Sequence, residues 1–262
     1  MSDGHYERVD DLATTILRDL GDPDTISVDD LAPADEFHLG GAVATAAIID
    51  ALAVRAGDRV LDIGSGLGGP ARRIAATTGA RVTGVDLTAE FVRTATRLSD
   101  RVGLQELTTF LVGDASALDL EGGFDAATLI HVGMNIADKP AFFSSVHDLL
   151  AEGGRFVVYD IMATGDIGDL GFPMPFASSR AGAFLVSPDD YRSALEAAGF
   201  TVSDPEDHTR LSLDAAAAAG AGGPPPVSLA TVMGPDFATM FANLGAALRG
   251  GVLAPIQIVA TR

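Results

Sequence analysis

The segment VLDIGSGLGGP, residues 60–70, contains four glycines and decides how the rest of the chain is interpreted. Gly64, Gly66 and Gly69 have the G-x-G-x-x-G spacing of a turn that joins a strand to a helix and binds a dinucleotide. Glycine is needed there because such a turn takes positive φ angles and its backbone approaches the ligand closely. Asp62, two positions before the first glycine, is not part of that signature, so the ligand has to be inferred from other residues.

Apolar runs alternate with helical patterns on both sides of this segment. The regular alternation predicts a parallel sheet with helices on both faces, which is a doubly wound α/β fold. The predicted strands are 59–64, 81–88, 108–115, 124–132 and 155–162, and the predicted helices between them are 71–79, 89–103 and 139–154.

Three segments depart from this alternation. Residues 1–50 contain two helical stretches and predict an N-terminal cap on a main domain of residues 51–262. Residues 163–187 are rich in glycine and proline, strongly apolar and too long for an ordinary connection, so they predict a lid. The low-complexity run 215–226 separates two helices, the second predicted at 228–249. A helix at 188–199, a strand at 200–204 and a last strand at 251–262 complete the prediction.

Composition limits the partners of this 262-residue chain. Its 17 basic and 36 acidic residues give a net charge of −19, which disfavours binding to nucleic acid. It has no apolar run as long as a membrane span and no signal-peptide pattern at its N-terminus, so we expect a cytoplasmic protein without membrane contact.

Rare residue types limit the chemistry. The chain has no cysteine, which excludes thiolate nucleophiles and cysteine-bound metals. Lys139 is its only lysine, so a Tyr-x-x-x-Lys pair of the dehydrogenase type is absent and Schiff-base catalysis is disfavoured. No cluster of carboxylates and histidines has metal-ligand spacing, and we expect no metal.

Three aspartates stand where predicted strands end. Asp62, Asp86 and Asp114 end the first, second and third strands, and the carboxyl ends of parallel strands line one crevice. Asp86 lies 20 positions after Gly66, where an acid binds ribose hydroxyls. Three carboxylates would repel a pyrophosphate but suit a ligand with a positive centre, ribose hydroxyls and an adenine amino group. S-adenosylmethionine is such a ligand, and a dinucleotide is the alternative.

The order and spacing of these motifs over residues 60–162 resemble the class I S-adenosylmethionine-dependent methyltransferases. VLDIGSGLGG is similar to the first motif of that family, VTGVDLT to the second and GDASAL to the third. DEFHLGG and GGPARRIA further resemble small-molecule enzymes of the sarcosine/dimethylglycine, sterol and tocopherol groups. The resemblance implies a Rossmann-like, mostly parallel sheet of seven strands, and methyl transfer to a small organic molecule.

The resemblance also implies a role for each motif residue. Asp62 and the loop of Gly64, Ser65, Gly66 and Gly68 would hold the methionine end of the cofactor. Asp86 would bind the ribose hydroxyls and Leu87 would pack on adenine. Asp114 would accept a hydrogen bond from the adenine amino group, with Ala115 and Ser116 beside it.

Three residues are candidates for the chemistry. His131 ends the fourth predicted strand and could accept a proton from the acceptor, or it could simply line the cofactor. His38 lies in a segment that would fold over the cofactor. Asp160 could orient an amine or a hydroxyl, and all three could instead have only structural roles.

The lid supplies the candidate acceptor-binding residues. Phe172, Met174 and Phe176 alternate along FPMPFA, and Tyr159 lies near the end of strand five. The related enzymes often have tryptophan where Phe176 stands. This chain has no tryptophan, so a cage for a quaternary-like amine is disfavoured.

Two other functions remain open at this point. The same scaffold could host a cyclase or rearrangement catalyst that binds S-adenosylmethionine without transferring its methyl group. It could also be a binding protein without catalysis. In each case we expect a small-molecule ligand and a monomer or homodimer.

Overall fold

The computed structural model describes residues 11–117, 120–221, 223 and 225–262, and for Ser116 only the backbone. It contains eight strands: β1 (Arg59–Ile63), β2 (Arg81–Asp86), β3 (Thr108–Val112), β4 (Phe124–Ile130), β5 (Leu150–Ala163), β6 (Thr201–Val202), β7 (Glu206–Asp207) and β8 (Leu253–Thr261). The α-helices are α1 (Leu12–Asp19), α2 (Val28–Asp35), α3 (Gly41–Leu52), α4 (Gly69–Thr78), α5 (Ala89–Arg101), α6 (Lys139–Leu149), α7 (Pro188–Ala197), α8 (Thr209–Ala221), α9 (Leu229–Met233) and α10 (Phe237–Arg249).

One twisted sheet contains all of these strands in the order β3-β2-β1-β4-β5-β8-β6, with β7 also paired to β8. Strands β1 to β5 run parallel to one another, whereas β8 runs antiparallel to its neighbour β5. Parallel neighbours require crossover connections, and helices supply them. The predicted doubly wound α/β fold is confirmed, but the sheet has eight strands among the described residues rather than the predicted seven, because the short strand β7 pairs with β8.

Apolar side chains cover the sheet on both faces. Phe142 and Phe143 of α6 pack with Phe156 of β5 in one core cluster. Ile48 of α3 and Ile74 of α4 pack against strand residues in a second cluster. Because both faces are buried, the central strands are almost continuously apolar rather than alternating.

Three predicted elements differ in detail from the structure. The predicted helix 139–154 ends at Leu149, because Leu150 is extended and pairs with Phe124 of β4. The predicted helix 228–249 is two helices, α9 and α10, because Gly234 has a φ of +74° and is followed by a proline. The predicted strand 200–204 is reduced to β6, and β7 is an additional two-residue strand.

The N-terminal segment contributes α1, α2 and α3, and its first ten residues lie outside the described residues. Two ion pairs join α2 and the residue after it to α4. Asp35 contacts buried Arg72 at 2.6 Å, and Glu36 contacts Arg73 at 2.8 Å. These contacts place the end of α2 against the glycine-rich turn.

The division of the chain at residue 50 remains a prediction. None of the helices among the described residues is long and apolar enough to cross a membrane.

Candidate cofactor and acceptor site

A cavity of about 960 Å³ opens at the carboxyl ends of β1, β2 and β4. The end of α2, the lid and helices α9 and α10 close its other sides. Its volume is at the upper end of the range for small-molecule sites in proteins. The three predicted aspartates, Asp62, Asp86 and Asp114, all line it, as do His38 and His131.

The glycine-rich turn forms the floor of the cavity. Gly64, Gly66 and Gly68 all have positive φ angles, +74°, +53° and +80°. Gly64, Ser65 and Gly66 line the cavity, whereas Gly68 lies behind it. A Cβ added to Gly68 would meet the ring of Phe110 at 2.6 Å, so this glycine is required for packing of the turn against β3.

The contact between Gly64 and Val132 gives a direct test of the turn. A Cβ on Gly64 would lie 2.2 Å from Val132 Cγ2, in addition to the strain of a left-handed backbone. We expect Gly64→Ala to lower the melting temperature by about 5 °C or more. Val132→Ala in the same chain should restore part of that loss. The measurement is thermal unfolding of the ligand-free proteins.

Gly57→Ala is the matched control for this prediction. Gly57 also has a positive φ, +91°, but an added Cβ would meet nothing within 4 Å. Its substitution therefore carries only the backbone strain, about 1 kcal/mol. Equal losses for the two single variants would show that the contact with Val132 does not define the turn.

Asp62 is the most unusual polar residue of the cavity. It is buried, and its Oδ1 accepts a hydrogen bond from the Thr128 hydroxyl at 2.8 Å. Its Oδ2 has no partner among the described residues. Burial raises the pKa of Asp62 to about 7, partly offset by the bond from Thr128. A desolvated carboxylate oxygen without a partner is the arrangement expected of a site that binds an ammonium group.

Asp86 and Leu87 form the next part of the wall. Asp86 accepts hydrogen bonds from the backbone N–H groups of Gly66 and Thr88, both at 2.8 Å. Burial raises the pKa of this carboxyl group. Leu87 is 51% exposed although it is large and apolar, and it faces the cavity. An exposed leucine beside a carboxylate suits a ligand with a flat ring next to hydroxyl groups.

The third aspartate stands at the outer edge of the cavity. Asp114 and Ala115 line it, and Asp114 is solvent-exposed. The side chain of Ser116, predicted to lie beside the adenine, is outside the described residues.

The two histidines lie together but differ in their bonding. Nε2 of His131 is buried without a hydrogen-bond partner among the described residues, and its ring stacks on that of Tyr159 with centroids 5.4 Å apart. Burial lowers the pKa of His131 well below its usual value, so the ring is neutral. Nε2 of His38 lies 3.1 Å from both the carbonyl oxygen of Gly41 and the hydroxyl of Thr45. Nε2 of His131 is therefore unpartnered among the described residues, whereas Nε2 of His38 is held by hydrogen bonds.

Two predicted residues of β5 do not line the cavity. The hydroxyl of Tyr159 donates to the carbonyl oxygen of Leu39 at 2.9 Å. Asp160 is fully buried, where it accepts hydrogen bonds from the Tyr191 hydroxyl at 2.7 Å and from the Ile161 N–H. Burial raises its pKa to about 7. The reason is that β5 continues to Ala163, so both side chains point into the faces of the sheet rather than over its edge. The site proposed below therefore leaves them out.

The lid places only one of its three predicted residues at the cavity. Phe176 lines it, whereas Met174 is fully buried against α10 and Phe172 packs in the same cluster. A tight turn between Met174 and Ala177 reverses the chain and breaks the expected alternation. Phe184, which is 40% exposed, faces the cavity from the C-terminal part of the lid. The sequence analysis did not predict this residue.

Sequence reasoning also missed several residues outside the lid. Phe37 contributes from the segment after α2, and Met233 and Phe241 contribute from α9 and α10. The Gly234–Pro235 pair is the signal that could have indicated a helical break, and hence a second covering element, in this region. Among the described residues, no group of three or more possible ligands could hold a metal ion.

The parallel α/β sheet and a cavity at its carboxyl edge define a Rossmann-like protein that binds a small molecule. Residues 61–158, from β1 to β5, match the family model described as a methyltransferase domain. The resemblance to class I methyltransferases of small molecules, predicted from the motifs, is confirmed.

Curated relatives agree with this family. The chain is 30% identical over 162 residues to the sterol 24-C-methyltransferase ERG6B of Gibberella zeae. The aligned region covers 60% of this chain and 43% of that protein. It is 29% identical over 194 residues to the methyltransferase GfsG of Streptomyces halstedii, covering 72% of this chain and 68% of that protein. The chain thus spans less than half the length of the sterol methyltransferase it matches.

Solved structures show the same fold. A geranyl diphosphate methyltransferase, in complex with GPP and sinefungin, superposes with a TM-score of 0.69 and 17% identity, covering 96% of this chain and 99% of that chain. The (4+2)-cyclase SpnF superposes with a TM-score of 0.65 and 21% identity, covering 96% of this chain and 93% of that chain.

Proposed function

We propose that this protein binds S-adenosylmethionine at the carboxyl edge of its sheet and transfers the methyl group to a small, uncharged and largely apolar acceptor. The unpartnered, buried Oδ2 of Asp62 is the observation that carries the proposal. It lies in the same cavity as Asp86 and Leu87, so one ligand can present an ammonium group, ribose hydroxyls and an adenine ring to them.

In this assignment each part of the cofactor has a chemical partner. The methionine ammonium group lies against Asp62, and the backbone of Gly64–Gly66 approaches the methionine end. Asp86 retains lone pairs beyond its two backbone bonds and binds the ribose hydroxyls. Leu87 packs on adenine, with Asp114 and Ala115 at its edge. A geranyl diphosphate methyltransferase of the same fold was solved in complex with SAM, which supports the choice of cofactor.

The protein's part in the chemistry is alignment and exclusion of water. When bound, the cofactor supplies a methyl group on positively charged sulfur. The protein would hold an acceptor nitrogen, oxygen or carbon atom in line with the carbon–sulfur bond, so that the electron pair of the broken bond would stay on sulfur. Where the acceptor is a hydroxyl, its proton passes to Nε2 of neutral His131. The apolar rings of Phe37, Phe176 and Phe184 keep water from the reacting atoms.

The charge of the cavity wall favours an uncharged acceptor. Among the described residues that line the cavity, none is lysine or arginine. The neighbouring cations are already paired, Arg72 with Asp35 and Arg73 with Glu36. An anionic acceptor would enter a cavity that, among the described residues, is lined by five aspartates and by no lysine or arginine, and a buried unpaired charge is strongly disfavoured. The sterol methyltransferase among the relatives supports an apolar acceptor.

A panel of matched acceptor pairs tests this function. Each pair consists of an apolar diol or dihydric phenol and its monophosphate ester, which keeps one free hydroxyl group, incubated with the protein and S-adenosylmethionine labelled at the methyl group. We expect label transfer to uncharged members and at least about tenfold less to their esters, because the esters bring a charge into an acidic cavity. Phe184→Lys should reduce the difference in label transfer between the two members of a pair, because it places an ammonium group at the cavity wall. Transfer to the esters alone would contradict the assigned acceptor class.

The alternative function, cyclisation or rearrangement without methyl transfer, is supported by the shared fold of the cyclase SpnF. Replacing S-adenosylmethionine with S-adenosylhomocysteine separates the two functions. Product formation that persists with S-adenosylhomocysteine would favour the alternative. A cytoplasmic location, a monomeric or homodimeric state and the absence of nucleic-acid partners remain predictions from the sequence.

A further inference from the structure

The only lysine of the chain is buried in an unusual place. Lys139 is 5% exposed at the start of α6. Its Nζ donates hydrogen bonds to the carbonyl oxygens of Ile136, at 3.0 Å, and Phe184, at 2.7 Å. It also lies 5.2 Å from the centre of the Tyr191 ring. Asp160 is near enough to attract this ammonium group electrostatically, but no carboxylate among the described residues forms an ion pair with it within 4 Å, so its burial is still costly and needs an explanation.

The two carbonyl oxygens belong to opposite sides of the cavity mouth. Ile136 lies on the loop between β4 and α6, the same loop that begins with His131, and Phe184 lies on the lid. The N–H of Phe184 also donates to the carbonyl oxygen of Met134 on that loop, at 2.7 Å. Lys139 therefore connects the C-terminal part of the lid, at Phe184, to the loop that carries the proposed base His131.

A second side chain on the loop holds the rest of the lid. Nδ2 of Asn135 donates to the carbonyl oxygens of Phe176, at 2.7 Å, and Gly182, at 3.1 Å. Between them, Asn135 and Lys139 bind three lid residues, Phe176, Gly182 and Phe184, and all three line the cavity. Asn135 is exposed at the mouth and Lys139 lies beneath it.

We propose that Lys139 is a positioning residue that fixes the lid over the acceptor cavity, with its amine accessible to solvent only when the lid opens. This role rests on the proposed function only in identifying the cavity as the acceptor site. The closing of the lid and the position of His131 are then coupled, because one short loop supports both. An acceptor that fits beneath Phe176 and Phe184 meets the base in a fixed geometry.

Hydrogen exchange of the protein provides the first test. In Lys139→Met, the backbone N–H groups of residues 182–186 should exchange about tenfold faster, because the C-terminal part of the lid loses a hydrogen bond from a charged donor. The matched control is Asp138→Ala, which removes the cap of α6, the bond from the N–H of Ala141 to Asp138 Oδ1. The control should loosen the first turn of α6 and leave residues 182–186 unchanged. If Lys139→Met showed faster hydrogen exchange in α6 but not in residues 182–186, the proposal would be overturned.

Acylation of the single lysine provides the deciding test, and it requires neither cofactor nor acceptor. The protein is treated with a water-soluble acetylating ester, and the modified lysine is quantified by mass spectrometry, which separates it from the N-terminal amine. In Asn135→Ala we expect Lys139 to be acylated about tenfold faster than in the wild type, because the lid opens more often. The melting temperature should be unchanged. Gln105→Ala, an exposed amide remote from the lid, should leave the rate unchanged.

Two results of the acylation test would overturn the proposal. The first is a wild-type lysine that reacts as fast as a lysine in an unstructured peptide. The second is an unchanged rate in Asn135→Ala, which would mean that only global unfolding exposes Lys139. Neither result bears on cofactor binding, so the proposed function would stand independently.

Discussion

Replacing Asp62 with asparagine lowers the affinity for S-adenosylmethionine about 100-fold, because the methionine ammonium group loses its charged partner in a desolvated site. The side-chain oxygen of asparagine can still accept the hydrogen bond from Thr128. Calorimetric titration of the variant and the wild type at the same pH measures the difference.

The same substitution makes the ligand-free protein more stable at alkaline pH. The pKa of Asp62 is raised to about 7 when folded, well above that of an aspartate in an unfolded chain, about 3.9. Between these values the folded state binds more protons than the unfolded state, so the contribution of Asp62 to stability falls as pH rises and is lost above about 7. Asparagine does not ionise. We therefore expect Asp62→Asn to melt about 3 °C above the wild type at pH 8 and to lose most of this advantage at pH 5.

Asp125→Asn is the matched control for both effects. Asp125 lies on the neighbouring strand β4 and accepts a hydrogen bond from the N–H of Arg59, away from the cavity. Its substitution should leave cofactor affinity unchanged. An Asp62→Asn variant that binds S-adenosylmethionine as tightly as the wild type would remove the main support for the proposed orientation of the cofactor.

We expect His131→Asn to lower kcat about 100-fold for a hydroxyl acceptor identified with the matched panel, because Nε2 of His131 is an unpartnered imidazole nitrogen at the cavity wall and is the proposed base. Asparagine is the appropriate substitution since it tolerates the left-handed backbone that His131 adopts, with a φ of +53°. The cofactor dissociation constant should change less than about threefold, because no charge is removed from the neutral ring.

His38→Asn distinguishes the base from its neighbour. The two rings lie 5.9 Å apart, but Nε2 of His38 is already bonded within the protein. We expect this variant to lose stability and to retain kcat within about tenfold. Because the pKa of His131 is well below 6.5, kcat should also stay constant as the pH falls from 8 to 6.5. A His131→Asn variant with wild-type kcat would exclude this residue as the base.

Much of the fold could be predicted because parallel strands buried on both faces produce apolar runs that stand out between amphipathic helices. The errors occurred where a tertiary contact outweighs a local pattern. The sequence around Leu150 continues a helical pattern, but pairing with Phe124 makes it a strand. Strand β7 contains only Glu206 and Asp207, which have no propensity for strands and form one only because β8 lies beside them.

The cofactor side of the site was more predictable than the acceptor side. Asp62, Asp86 and Asp114 were located because strand ends in one parallel sheet must share an edge. The lid follows no such rule, so the turn at Met174 could not be predicted from spacing. Asp160 was misplaced for a different reason, because the exact end of β5 decides whether a side chain points over the edge or into the core.

Isothermal calorimetry of the protein with S-adenosylmethionine and, separately, with NADH is the most direct test of the central claim. Because Asp62, Asp86 and Asp114 line one cavity, we expect saturable binding of S-adenosylmethionine at one site per chain and no measurable heat with NADH. Tight binding of NADH together with no response to S-adenosylmethionine would contradict the account.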